Sequence, residues 1–141
     1  MRCKSLFASV MLAALGVASA EAQSPNTLRV TIPFAFTLDN STLPAGDYSV
    51  SHSGFNGSQI MAMRSGDDRR TVLFVGSQTE SSTVQNQSRL VFRRYGDDYV
   101  LTDIWWAGYP AGVKLPVSKT VAESVNTAGL RQPEVMVILA R

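Results

Sequence analysis

From Leu28 to Leu38 apolar and polar positions alternate without a break, with Leu28, Val30, Ile32, Phe34, Phe36 and Leu38 set against Arg29, Thr31, Pro33, Ala35 and Thr37. A period of two predicts a single strand over residues 28–38 with one buried face. Pro33 has no N–H to give to a ladder, so this strand is expected at a sheet edge or with a bulge near its middle. Leu43-Pro44-Ala45-Gly46 carries turn chemistry, and the strand that follows over 47–52 puts Tyr48, Val50 and His52 on one side. Ser53-Gly54-Phe55-Asn56-Gly57 predicts a turn and residues 59–64 a third strand, with Met61 and Met63 together on one face. Val72-Leu73-Phe74-Val75 is a continuous apolar run, which predicts a strand over 71–76 covered on both faces. Residues 77–88, SQTESSTVQNQS, show no packing pattern and are expected to form a loop.

Residues 89–94 and 99–106 are rich in β-branched and aromatic side chains and flank Tyr95-Gly96-Asp97-Asp98, the clearest hairpin of the chain. Arg64-Ser65-Gly66-Asp67-Asp68 matches Arg94-Tyr95-Gly96-Asp97-Asp98 at a spacing of 30, so two similar hairpins are expected, too few for a solenoid or propeller. Gly108-Tyr109-Pro110-Ala111-Gly112 predicts a further turn. Ser118 is a candidate cap for a short helix over 119–126, with Val121 and Val125 on one face and Gly129 beyond its end. Residues 134–140 predict a last strand with apolar residues on both faces. About seven strands and one short C-terminal helix predict an all-β fold, an antiparallel β-sandwich or small barrel, as a single domain over residues 28–141. A membrane barrel would want about eight strands of 9–11 residues, and most of these are shorter.

The preceding residues carry a different signal. Arg2 and Lys4, an apolar run over 6–17 and the small-residue pattern Ala18-Ser19-Ala20 have the order of a secretory signal peptide, expected to span residues 1–22. A second such pattern, Ala20-Glu21-Ala22, places cleavage after either Ala20 or Ala22, and the apolar run is shorter than the roughly 20 residues of a membrane span. Losing Arg2 and Lys4 leaves 11 of the 13 basic residues, against 11 acidic ones for the first cut or 10 for the second. A mature chain so close to neutral offers no basic stripe for a row of phosphates, and nucleic acid is not an expected partner. Cys3 belongs to the leader, so the mature chain is expected to have no disulfide and no thiolate metal site. The expected location is outside the cytoplasm, in the periplasm or beyond the cell.

Ile32-Pro33-Phe34-Ala35-Phe36 followed by Leu43-Pro44-Ala45-Gly46-Asp47-Tyr48-Ser49-Val50 resembles a family of small secreted bacterial proteins that share I-P-F-x-F and L-P-A-G-x-Y-x-V. Their hairpin is similar to residues 90–101 here, with a Trp after it in the place of Trp105, and the resemblance extends over about residues 30–116. It implies secretion and one β-rich domain, and it carries over no catalytic or binding residue.

Candidate chemistry is sparse. His52 is the only imidazole; Ser51 and Ser53 beside it point to the opposite face of a strand, and no G-x-S-x-G elbow is present. Asp67-Asp68 and Asp97-Asp98 could serve a cation, but neither pair sits in a calcium-loop pattern, and Gly-Asp-Asp is also what a tight turn needs. Asp103, between aromatics on a strand, is expected to pair with Arg93 or Arg89 across the hairpin. Trp105 and Trp106 are the best functional lead, since neighbours on a strand face opposite ways and one of them must meet a second layer or solvent. An exposed indole near Tyr109 and Tyr95 would form a platform for a sugar ring or a partner protein.

The sequence therefore favours an exported, non-enzymatic β-domain that binds a glycan or a cell-envelope protein through Trp105, Trp106, Tyr109 and Tyr95, with no cofactor and no metal. The alternative is a structural or assembly subunit of the envelope that pairs through the Pro33 strand or the C-terminal strand. A small hydrolase using Asp97, Asp98, Asp103 and His52 is the third reading.

Overall fold

The computed structural model of the protein describes residues 27–53, 59–119, 121, 123, 129 and 133–141. The expected signal peptide and the turn over 54–57 lie outside these residues. The described chain is all-β, with eleven strands in two sheets. Strands β1 (Leu28–Ile32), β4 (Gly46–His52), β5 (Ile60–Ser65) and β6 (Thr71–Val75) form the first sheet in the order β1-β4-β5-β6, antiparallel throughout. The second sheet runs β11-β8-β9-β10-β7, built from β7 (Ser77–Glu80), β8 (Arg89–Tyr95), β9 (Asp98–Trp105), β10 (Ala111–Lys114) and β11 (Glu134–Leu139). Strands β2 (Phe36–Leu38) and β3 (Ser41–Leu43) form a small hairpin on it, β2 lying parallel to the start of β9.

One core lies between the sheets, and alternation fills it. Leu28, Val30 and Ile32 enter it from β1, Tyr48 and Val50 from β4, Met61 and Met63 from β5, and Leu90, Phe92, Leu101 and Ile104 from β8 and β9. Five aromatic rings knit its centre: Phe34 stacks on Tyr99 at 4.0 Å and meets Phe92 edge-on at 5.1 Å, while Phe36 meets Tyr48 and Phe92 edge-on at 5.3 and 5.5 Å. Ile32, Phe34, Phe36, Leu43, Tyr48 and Val50, which carry the resemblance noted in the sequence, all belong to or pack against this core. The Tyr48 hydroxyl donates to the Pro44 carbonyl at 2.6 Å, and burial pushes its pKa above the ordinary phenol value.

The chain passes between the sheets after β1, after β3 and after β6, and two of these passages are corners set by single residues. The single strand expected over 28–38 is broken at Pro33, so β1 pairs in one sheet and β2 in the other; a residue without an N–H ends the β1 ladder there. The second corner is Gly76, between β6 and β7, where a Cβ would stand 2.1 Å from Val113 Cγ1. At the far side Arg29 and Arg141 exchange backbone hydrogen bonds of 2.9 Å, tying β1 to the residues after β11. No further pairing of β1 with β11 follows among the described residues, and the fold is two sheets, sandwich-like, rather than a closed barrel.

Several expectations need correction. The loop foreseen over 77–88 contains β7, which pairs with β10 from Glu80↔Ala111 to Ser77↔Lys114; as an edge strand with exposed side chains it has no apolar signature. The rest of that loop is tied down by Gln85, buried, whose backbone accepts Gly108 N–H at 2.8 Å and donates to Tyr109 O at 3.4 Å. Residues 111 and 112, foreseen as turn, begin β10, where Gly112 leaves room for the Trp105 ring, 2.6 Å from where a Cβ would be. Strand count rises from about seven to eleven because β3, β7 and β10 are short and β1–β2 is split. Of the helix expected over 119–126, only Lys119, Val121 and Glu123 are described; they have helical backbone, and Val121 N–H bonds back to Ser118 O at 3.1 Å. Most of that stretch lies outside the described residues, and no complete helix is found among those described.

The most consequential correction concerns β6. The run Val72-Leu73-Phe74-Val75 was expected to be covered on both faces, but β6 is the last strand of its sheet, with Leu73 61% and Val75 63% exposed. The C-terminal strand behaves alike: Val135, Val137 and Leu139 face outward and are about half exposed, while Met136 and Ile138 pack on the core.

Candidate functional site

The two indoles separate as strand geometry requires. In β9 one extra residue, Thr102, sits between the pairs Leu101↔Phe92 and Asp103↔Val91, so Leu101 and Ile104 both reach the core and Trp106 follows on the same side. Trp106 is 9% exposed, its ring 5.4 Å from His52, and its Nε1–H is buried without an acceptor. Trp105 faces the other way, half-buried across Gly112. Tyr109 stands exposed in the turn before β10. Tyr95 is opposite Asp98 at the other end of the hairpin, seven residues along β9 from Trp105, a separation of about 24 Å at the usual strand rise. No ring contact joins any two of these four residues. The structure thus leaves Trp105 and Tyr109 outward at one end, puts Trp106 in the core and Tyr95 at the opposite end.

Near Trp105 an open cleft of about 520 Å³ is lined by Asn86, Gln87, Ser88, Ala107 and residues 139–141. None of the four aromatic residues lines it. Ser88 Oγ is already engaged, accepting Ala107 N–H at 2.9 Å. This amide-rich rim escaped sequence reading because 77–88 carries no pattern; the burial of Gln85 that positions it is visible only in three dimensions.

The acidic residues are turn and strand chemistry. Asp67 Oδ1 accepts the Ser65 hydroxyl and the Arg69 N–H, the latter at 3.2 Å; these two bonds, the hydroxyl first, hold its carboxyl below the ordinary value. Asp97 lies 3.8 Å from Arg94, whose guanidinium also reaches Glu134 at 3.7 Å and lies over the Tyr99 ring. Asp103 does not pair with Arg89 or Arg93: in register it faces Val91 and Lys114, and its carboxylate accepts the Thr102 hydroxyl at 2.8 Å. Among the described residues no group of three or more His, Cys, Asp or Glu side chains is placed to hold a metal ion. No described helix is long and apolar enough to cross a membrane.

The free edge of β6 is defined by its hydrogen-bond phase. Gly76 N–H bonds to Gln59 O and Ser65 N–H to Arg70 O, so the even residues 70 to 76 face β5. Thr71, Leu73 and Val75 therefore turn their N–H and C=O groups away from β5, and they are also the three whose side chains are exposed. Similar phase holds in β11: Ala140 N–H bonds to Ser88 O, which leaves Val135, Val137 and Leu139 facing outward from β8. No family model, curated protein or solved structure matches the chain.

Proposed function

We propose that this protein is an exported, non-enzymatic β-sandwich domain of the cell envelope that works by association, another chain's strand completing one of its sheets. The observation that supports this most is β6, an edge strand whose outward side chains are apolar and whose outward backbone groups are unpaired. Edge strands in soluble domains are usually blunted by Lys, Pro or a bulge, and Thr71–Val75 has none of these. Strand addition uses those main-chain groups for affinity and alternate side chains for choice of partner. A photoreactive residue at position 73 or 137, installed in cells that make the protein, should give discrete adducts with another chain, whereas position 49, on the outward face of inner strand β4, should give none. Equal labelling from all three positions would remove the proposal.

Binding of a glycan or an envelope protein through the aromatic residues, the reading the sequence favoured, is left with Trp105 and Tyr109 beside the amide-rich cleft. A saturable change in tryptophan emission on titrating envelope polysaccharides, lost in Trp105→Phe, would support it. An emission spectrum indifferent to every glycan would leave association through the edges.

A further inference from the structure

The partner that fits β6 best is a second copy of the same strand. We infer that two copies pair antiparallel through Thr71–Val75 about a two-fold axis at Leu73, an inference that rests on the edge-association reading above. The phase of the edge is what makes it self-complementary. With Leu73 opposite the copy's Leu73, Thr71 falls opposite Val75 and Val75 opposite Thr71, and all three pairs are of the hydrogen-bonded kind because each residue points its N–H and C=O outward. Each such pair exchanges two bonds, so the backbone groups left unpaired on both copies are satisfied together.

Charge selects the direction. Arg69 and Arg70 precede β6, and Gly76, Ser77, Gln78 and Thr79 follow it. A parallel copy in register would set Arg70 beside Arg70; an antiparallel one sets Arg70 beside Gly76, so no like charges oppose each other. Side chains agree with this direction, since Leu73 meets Leu73 and Val75 meets Thr71 on the outward face, beside the exposed Ile60 of β5. The product is one continuous sheet of two four-stranded halves, an isologous interface of the kind closed dimers use.

The sequence makes the test clean, because Cys3 is the only cysteine. In the full chain carrying Cys3→Ser, a single Leu73→Cys places two thiols on residues whose Cα atoms would be about 5.5 Å apart, within disulfide range. Val75→Cys would sit about 14 Å from its own copy, four residues along the strand, and should not link to itself. It should link to a chain carrying Thr71→Cys. Under mild oxidation the expected result is covalent dimer from Leu73→Cys and from the Thr71→Cys plus Val75→Cys mixture, several-fold above Val75→Cys or Ser49→Cys alone. Sedimentation of the otherwise unmodified protein should show a concentration-dependent dimer that Leu73→Lys abolishes. Equal linkage from all four variants, or a monomer at every concentration, overturns the two-fold pairing. If position 73 nevertheless gives adducts with a different chain in cells, the self-pairing fails while association through the edge stands; if it gives none, both fail.

Discussion

One corner residue marks where the chain has little tolerance. Gly76 must change sheets under Val113, and a methyl group there overlaps the valine outright at 2.1 Å. Gly76→Ala should destabilise by about 1–3 kcal/mol, the usual cost of overpacking, and Val113→Ala in the same chain should recover part of that loss. Urea unfolding of the two single variants and the double variant checks this: simple additivity would mean the contact is not what constrains Gly76. Asp67 makes a pH prediction. Its carboxyl titrates below the ordinary value of 3.8, so the Ser65 and Arg69 hydrogen bonds add stability above that value and the contribution fades as pH falls through the lowered one. The stability gap between the parent and Asp67→Ala should accordingly be constant near neutral pH and close on acidification; a gap that widens in acid would contradict the assignment.

At the scale of elements, β6 allows a sharp contrast between neighbours. Phe74, buried, should cost about 3–5 kcal/mol when replaced by Ala. Leu73→Lys, one residue away on the exposed side, should stay within about 0.5 kcal/mol of the parent in thermal or urea unfolding of dilute protein, where no dimer adds to the parent's stability. Comparable losses from the two would mean that β6 is covered on both faces after all. That expectation arose because an apolar run reads the same whether a strand is sandwiched or stands at an edge with one apolar face bare. Where alternation was strict, as in residues 28–32, strand and face were both legible from the residues alone, and the β8–β9 hairpin was legible as two strands though not in its faces. Strand β7 was not, because backbone pairing builds it and none of its side chains is buried, and β10 was not, because it is short and Val113 is its one core side chain. The candidate site was legible to the extent that Trp105 and Trp106 had to part; the extra residue at Thr102, which decides that Trp106 turns inward, has no signature in the sequence.

At the scale of the molecule, two sheets share one core and leave apolar side chains on outlying strands at both margins, Leu73 and Val75 on β6 and Val135, Val137 and Leu139 on β11. The residues of the hydrolase reading each have a local partner: Asp97 lies at the hairpin turn beside Arg94, Asp103 accepts from Thr102, and the His52 ring packs toward Trp106. The most direct test of an unpaired edge that a partner strand completes is residue-resolved amide exchange along β6 in the full chain, followed from dilute to concentrated solution. In dilute protein Val72 and Phe74, bonded to β5, should be protected while Thr71, Leu73 and Val75 exchange freely, and the odd-numbered amides should gain protection as concentration rises. Odd and even amides equally protected at every dilution would show the edge already covered within the chain, and the account would be wrong.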